Sequence, residues 1–180
     1  HMMNRIFNSQ NHPFFRFGEI MFLQKIKKKH FCQHIISTFE KSGKTIPKER
    51  ANKIITLAER NPYFIQQLSR YVWIKSGELV IDSDIMEAVE EIMLQNAIWY
   101  IKEVERMTST QFNYLKAVMN EEKNLSGQAV IKKYKLGSSA NVAKIKKVME
   151  DREILDFWNV YPEFNDPFFK NWIRKQVHSY

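Results

Sequence analysis

Near its C-terminus the chain reads Leu136-Gly137-Ser138-Ser139-Ala140-Asn141-Val142-Ala143-Lys144-Ile145-Lys146-Lys147-Val148-Met149, followed shortly by Ile154-Leu155-Asp156-Phe157. Val142, Ile145, Val148 and Met149 recur at helical spacing, so a helix with one apolar face is expected from Ser139 to about Arg152. Gly137 permits a tight turn just ahead of it, and Ser138 and Ser139 stand where a helix start favours short polar side chains. Before the turn, residues 127–134 read as an apolar helix ending in Tyr134. After the helix, residues 154–164 carry aromatic and β-branched residues around Tyr161-Pro162, which suits two short paired strands. Helix, glycine turn, capped helix and hairpin, in that order, are the second half of a winged helix-turn-helix.

Working outward, Thr108 and Gln111 have the spacing of a capping box and open the first helix of this region, with Phe112, Leu115 and Val118 on its apolar stripe. Pro167 starts a closing helix that runs to about Val177. Upstream the pattern is helical for a long way. Phe31, Ile35, Ile36 and Phe39 share a face that stops at Gly43, which can supply a left-handed residue past a helix end. Ile46-Pro47 begins a second helix with proline at its first position, striped by Ala51, Ile54, Ile55 and Ala58. Asn61-Pro62 begins a third, with Phe64, Ile65, Leu68 and Val72, ending near Ser76-Gly77. A fourth follows Asp82-Ser83 and runs to about Met107 through Ile85, Val89, Ile92, Trp99 and Val104. The expected fold is mainly α: a four-helix bundle followed by a winged helix-turn-helix domain with a small β-hairpin. At the N-terminus, Met3, Ile6 and Phe7 suit a helix end, Asn11-His12-Pro13 breaks it, and residues 19–23 have the apolar density of a short strand. His1-Met2 has the look of a cloning scar, which implies a piece of something longer.

The chain has 180 residues and is 44% hydrophobic, enough for one domain or two small ones. Its single cysteine, Cys32, cannot form an internal disulfide, and there is neither an apolar run of about 18 residues nor a cleavable leader. A reducing, cytoplasmic setting without a membrane is expected. The net charge of +8 is unevenly spread. Residues 1–60 hold 12 Lys and Arg against 4 acids, residues 61–105 hold 3 against 8, and residues 106–180 hold 13 against 8. A basic C-terminal part fits nucleic acid, whereas the acidic middle argues against one continuous binding groove.

Catalytic chemistry is hard to find. Ser42-Gly43-Lys44-Thr45 matches the tail of a phosphate-binding loop, but Thr38 stands where the full pattern needs its first glycine, and the tetrapeptide follows a helix instead of a strand. It reads as a helix stop. His30 and His34 are four apart, as in a two-ligand metal helix, yet Phe31 occupies the position of a metalloprotease glutamate, so no metal site is assigned. Glu87, Glu90 and Glu91 read as a wet helix face with no His or Ser partner, and no catalytic residue is assigned. The serine-capped helix carries more. Ala140, Ala143, Lys144 and Lys147 face outward, with Lys146 at the edge and Asp151 on the same face. Small alanines between lysines allow close approach to a phosphate backbone, and Ser138 and Ser139 add amides and hydroxyls, so Ser138, Ser139, Lys144 and Lys147 are the candidate DNA contacts.

Met3, Phe7 and Pro13-Phe14, the strand at 19–23, the block Asn61-Pro62-Tyr63-Phe64-Ile65-Gln66-Gln67-Leu68, and Asp166-Pro167-Phe168 with Trp172-Ile173-Arg174 together resemble the C-terminal half of archaeal-type P-loop ATPases. These are AAA-like proteins of the signal-transduction NTPase group in prokaryotes. The resemblance implies that residues 1–23 are the last helix and strand of a nucleotide-binding core, 24–107 its helical lid and 108–180 a winged helix. It also implies ATP and magnesium for the parent protein, held by a phosphate loop and an acidic strand ahead of residue 1, so this chain alone is not expected to hydrolyse ATP. In such families a Gly-x-Pro in the lid lies over the nucleotide base, which maps onto Arg60, Asn61 and Pro62 with Arg60 in place of the glycine. Arg16 lies near where these ATPases place an arginine that reaches a neighbouring subunit's phosphate, with Arg5 as a competitor.

Two functions remain open. In one, nucleotide state in the ATPase core reorients the winged helix on DNA. In the other, the winged helix binds a protein partner or inhibits its own ATPase, with Trp158, Phe168, Phe169 and Trp172 serving the core or the partner.

Overall fold

The structure, a computed structural model, describes residues 26–178. The expected helix at Met3, Ile6 and Phe7, the strand at 19–23, and Arg5 and Arg16 lie outside the described residues. Among those described, eight helices and one two-stranded hairpin follow one another.

Helix α1, Lys28–Lys41, buries Phe31, Cys32, Ile35 and Phe39. Gly43 ends it with φ +78°, and no atom lies within 4 Å of where its Cβ would stand, so backbone conformation and not crowding makes glycine the fitting residue. Helix α2, Lys48–Leu57, buries Ala51, Ile54 and Ile55. Pro47 is its extended N-cap and not its first helical residue, one position from the expectation. Helix α3, Pro62–Lys75, begins as read: the Asn61 side chain accepts from the Tyr63 amide at 3.0 Å, and Pro62 occupies the first position, where no N–H is required. Helix α4, Asp82–Glu105, is the longest, and Asp84 caps it by accepting from the Ile81 amide at 2.8 Å. It packs along α3, while α1 packs along α2.

The turn between α2 and α3 is strained. Glu59 and Arg60 both sit in left-handed backbone, at φ +48° and +60°, without being glycine, at a cost of about 1 to 2 kcal/mol each. Arg60 Nη2 donates to the Ile26 carbonyl at 2.9 Å, and Lys170 Nζ donates to the Glu59 carboxylate at 2.6 Å.

The C-terminal part holds α5, Ser109–Met119, α6, Gln128–Lys133, and α7, Ser139–Asp151. The Thr108 capping box forms in both directions: Thr108 Oγ1 accepts from the Gln111 amide at 3.3 Å, and Gln111 Oε1 accepts from the Thr108 amide at 2.9 Å. Strands β1, Leu155–Asp156, and β2, Glu163–Phe164, pair antiparallel with Leu155 opposite Phe164 and Asp156 opposite Glu163. Helix α8, Pro167–His178, returns to the bundle and lies on α4. There Phe169 and Trp172 pack on Tyr100, and Phe168 meets Phe64 edge-on at 5.6 Å. Asp166 caps α8 by accepting from the Phe168 and Phe169 amides at 2.7 and 3.1 Å, and it also accepts from the Tyr100 hydroxyl at 2.9 Å. Bundle and C-terminal helices thus share one apolar core.

Candidate nucleic-acid interface

The turn between α6 and α7 is set by two left-handed residues, Lys135 at φ +53° and Gly137 at φ +85°. Asn141 locks it. Its Nδ2 donates to the Leu136 carbonyl at 2.8 Å, its amide donates to Ser138 Oγ at 3.2 Å, and Leu136 is driven into the core. In sequence Asn141 shows only as an amide side chain three residues past a serine cap, and spacing alone gives it no role.

Along α7, Val142, Ile145 and Met149 are buried and Val148 is half-buried, while Ala140, Ala143, Lys144 and Lys147 are exposed with Asp151, and Lys146 is half-buried at the edge. Ser138 and Ser139 are exposed at its start. The helix therefore stands with its basic, small-residue face to solvent. Its densest packing is against α5 and β1, and among the described residues Ala140, Ala143, Lys144 and Lys147 stay exposed. Lys132 and Lys135 of the same helix-turn-helix are also exposed. Lys133 is engaged by Glu122, whose pKa is held below its ordinary value by Lys133 and then by the Tyr134 hydroxyl.

The wing, residues 157–162, stands beside α7 along its Lys146 and Glu150 edge, with a cleft of about 430 Å³ between them that Lys123 also lines. Its base is pinned: Tyr161 donates to the Val118 carbonyl at 2.9 Å, and Asp156 Oδ1 accepts from the Trp158 amide at 2.8 Å. Trp158 is 64% exposed and Val160 fully so. The four aromatics left open between core and partner divide: Phe168 and Phe169 are buried, Trp172 is half-buried against Tyr100, and Trp158 faces solvent.

The other candidates are used structurally. In Ser42-Gly43-Lys44-Thr45, Ser42 Oγ accepts from the Trp73 indole at 2.9 Å. Lys44 donates to the Trp73 and Ser76 carbonyls at the end of α3, where a helix favours a cation. Thr45 forms a single parallel bridge with Leu79. Its amides and lysine are therefore spent inside the bundle and form no phosphate cradle. Arg60, in the glycine's place, adopts the left-handed backbone a glycine would, but its side chain is tied to Ile26, while Asn61 caps α3. Pro62 lines an apolar groove of about 710 Å³ between α1 and α3, as do the exposed His30 and His34. Among the described residues no three or more His, Cys, Asp or Glu are placed to hold a metal ion, and no helix is long and apolar enough to cross a membrane.

Residues 98–175 match the model of a family described as a probable winged helix domain. No curated protein and no solved structure matches the chain. With its helix-turn-helix, paired strands and closing helix matched as one unit, the C-terminal part of this chain is a winged helix domain.

Proposed function

We propose that the winged helix domain binds DNA through the outward face of α7. The observation that carries this reading is the exposure of Ala140, Ala143, Lys144 and Lys147 on one uncovered face, with Ser138 and Ser139 at its N-terminus. Small side chains admit the phosphate backbone, the lysines neutralise it, and the serine end of the helix offers amides and hydroxyls to it. These contacts position the protein without reading sequence. The test is fluorescence anisotropy of a labelled random duplex at two salt concentrations. Binding should weaken with salt at a slope of about −0.9 per neutralised phosphate, and Lys144→Glu/Lys147→Glu should abolish it. Absence of binding by the intact chain at low salt defeats the reading.

The resemblance to P-loop ATPases supports a fuller form of the proposal. Residues 24–107 would be the lid and 108–180 the winged-helix output of a cytoplasmic, prokaryotic ATPase, with residues 1–23 finishing its core, so that nucleotide state redirects α7 on DNA. The described residues hold no phosphate cradle, so ATP and magnesium would be bound by other parts of that parent. Reading the coding sequence upstream of residue 1 decides it: a strand followed by a glycine-rich phosphate loop supports the ATPase parent, and its absence removes it.

A protein-partner or autoinhibitory role for the same domain is favoured by one observation. Leu94, Ile98 and Ile101 lie exposed along α4, at 71%, 70% and 43%, an apolar stripe larger than scattered surface residues require. The charge-reversed variant separates the two, because a partner on α4 does not need Lys144 or Lys147.

A further inference from the structure

We infer that the exposed apolar stripe of α4 seats a second copy of this chain, packed antiparallel, so that the two α4 helices cross at Ala97 and Glu91 of each copy meets Lys102 of the other. Self-pairing of this kind goes beyond both readings above. DNA binding needs only α7, and a protein-partner role leaves the occupant of α4 open.

Leu94, Ile98 and Ile101 stand 71%, 70% and 43% exposed, at spacings of four and three residues that put them on one helix face. Ile85, Val89, Ile92 and Glu103 are buried on the opposite side of the same helix, so no rotation of α4 hides the stripe. One patch is enough for a two-fold pair, because each copy offers the other the same surface. Direction follows from charge and spacing. At about 100° per residue, Glu91, Ile98 and Lys102 fall on one flank of the stripe, and in an antiparallel pair each flank meets the same flank of the other copy. Glu91 with Lys102, and Leu94 with Ile101, are both centred within one residue of Ala97, so one crossing point serves the charges and the apolar contact together. Ala97 is small enough to let the helices close there, and a groove of about 510 Å³ beside Leu94 and Ala97, lined also by Met93 and Trp172, is placed to receive Ile101 of the second copy. Lys102 is exposed and has no ion-pair partner among the described residues, and Glu91 reaches Lys75 only at 3.5 Å. Glu90, which comes nearest Glu105 of the other copy, is already neutralised by Lys175 at 2.8 Å. A parallel pair would set like charges level with one another and lose both matches.

The experiment is analytical ultracentrifugation over a concentration series for the intact chain, Ile98→Glu, Glu91→Lys, Lys102→Glu, and an equimolar mixture of the last two. The intact chain should pass from monomer to dimer as concentration rises. Ile98→Glu carries a charge into the apolar seam and should raise the dissociation constant at least about tenfold. Glu91→Lys and Lys102→Glu should each weaken self-association, and their mixture should restore it, because each copy then supplies the charge that the other lacks at both contacts. Glu91→Lys also loses its bridge to Lys75, so the mixture and not the single variant decides the pairing. Lys144→Glu/Lys147→Glu should dimerise as the intact chain does. A chain that stays monomeric throughout, or a dimer indifferent to Ile98→Glu, overturns the inference and leaves the α7 reading as it stands. A mixture that associates no better than either variant alone overturns the antiparallel arrangement. Ile98 and Lys102 lie in solvent, so their substitution leaves the core untouched, and circular dichroism of the variants confirms it.

Discussion

Lys44 occupies a tetrapeptide that elsewhere grips phosphate, and here its ammonium closes the end of α3 and lies 4.7 Å from the centre of the Trp73 ring. A motif is only as good as the backbone that aims it, and a helix C-terminus aims carbonyls where a phosphate loop aims amides. Local chemistry of this kind was legible: Gly43, Asn61-Pro62 and the Thr108–Gln111 pair act within four residues of themselves, and all do what their types prefer. Asn141 was not, because a side chain that closes a turn looks in sequence like any polar residue on a helix. Tyr114 is another case. Its hydroxyl is buried with no hydrogen-bond partner, and burial, then the nearby Tyr161, pushes its pKa up. Removing an unpaired buried hydroxyl relieves a desolvation cost of about 1 to 3 kcal/mol. Tyr114→Phe should therefore be neutral or raise stability by up to that amount in urea unfolding; a clear loss would mean the hydroxyl holds a water that stabilises the fold.

Among the elements, α8 shows most plainly what periodicity reveals and what it hides. Its start at Pro167 and its apolar content were readable, and so was the existence of the wing. Its cap was not, since Asp166 works as a pair with Tyr100, 66 positions away. Burial raises the Asp166 pKa, against the lowering by its amide and tyrosine donors. A pKa raised on folding costs stability above the folded value, and that cost fades as pH falls from the folded pKa through the lower unfolded one. Asp166→Asn keeps an N-capping oxygen and drops the charge, so its stability should stay within about 1 kcal/mol of the parent. Asp166→Ala loses the cap and strands the Tyr100 hydroxyl, for a loss of about 2 to 3 kcal/mol. Equal losses in the two variants would show that charge, not capping, matters there.

At the level of the whole molecule, α4 is joined to the end of α7 and to α8 by polar pairs that no local pattern announces. Arg152, at the end of α7, donates to the Glu103 carboxylate at 2.7 Å and to its carbonyl at 3.0 Å, and Glu103 is the one buried charged residue among those described. Lys175 reaches Glu90 at 2.8 Å. Helical spacing marks each helix but carries no information about a partner 49 or 85 positions away. Arg152→Ala strips the buried Glu103 of its nearer cation and leaves it only Arg106, 3.6 Å away and mostly exposed, and should cost about 2 to 3 kcal/mol. Paired replacement by apolar residues should recover much of it, as a double-mutant cycle would measure. A loss under about 1 kcal/mol would place the pair with ordinary surface bridges.

The left-handed turn at Glu59 and Arg60 joins these scales. One of its side chains grips Ile26, ahead of α1, and the other grips Lys170 in α8. A tug on the approach to the bundle and a tug on the last helix therefore meet at a single joint, already wound against its preference, and the two ends of the described chain share one mechanical fulcrum.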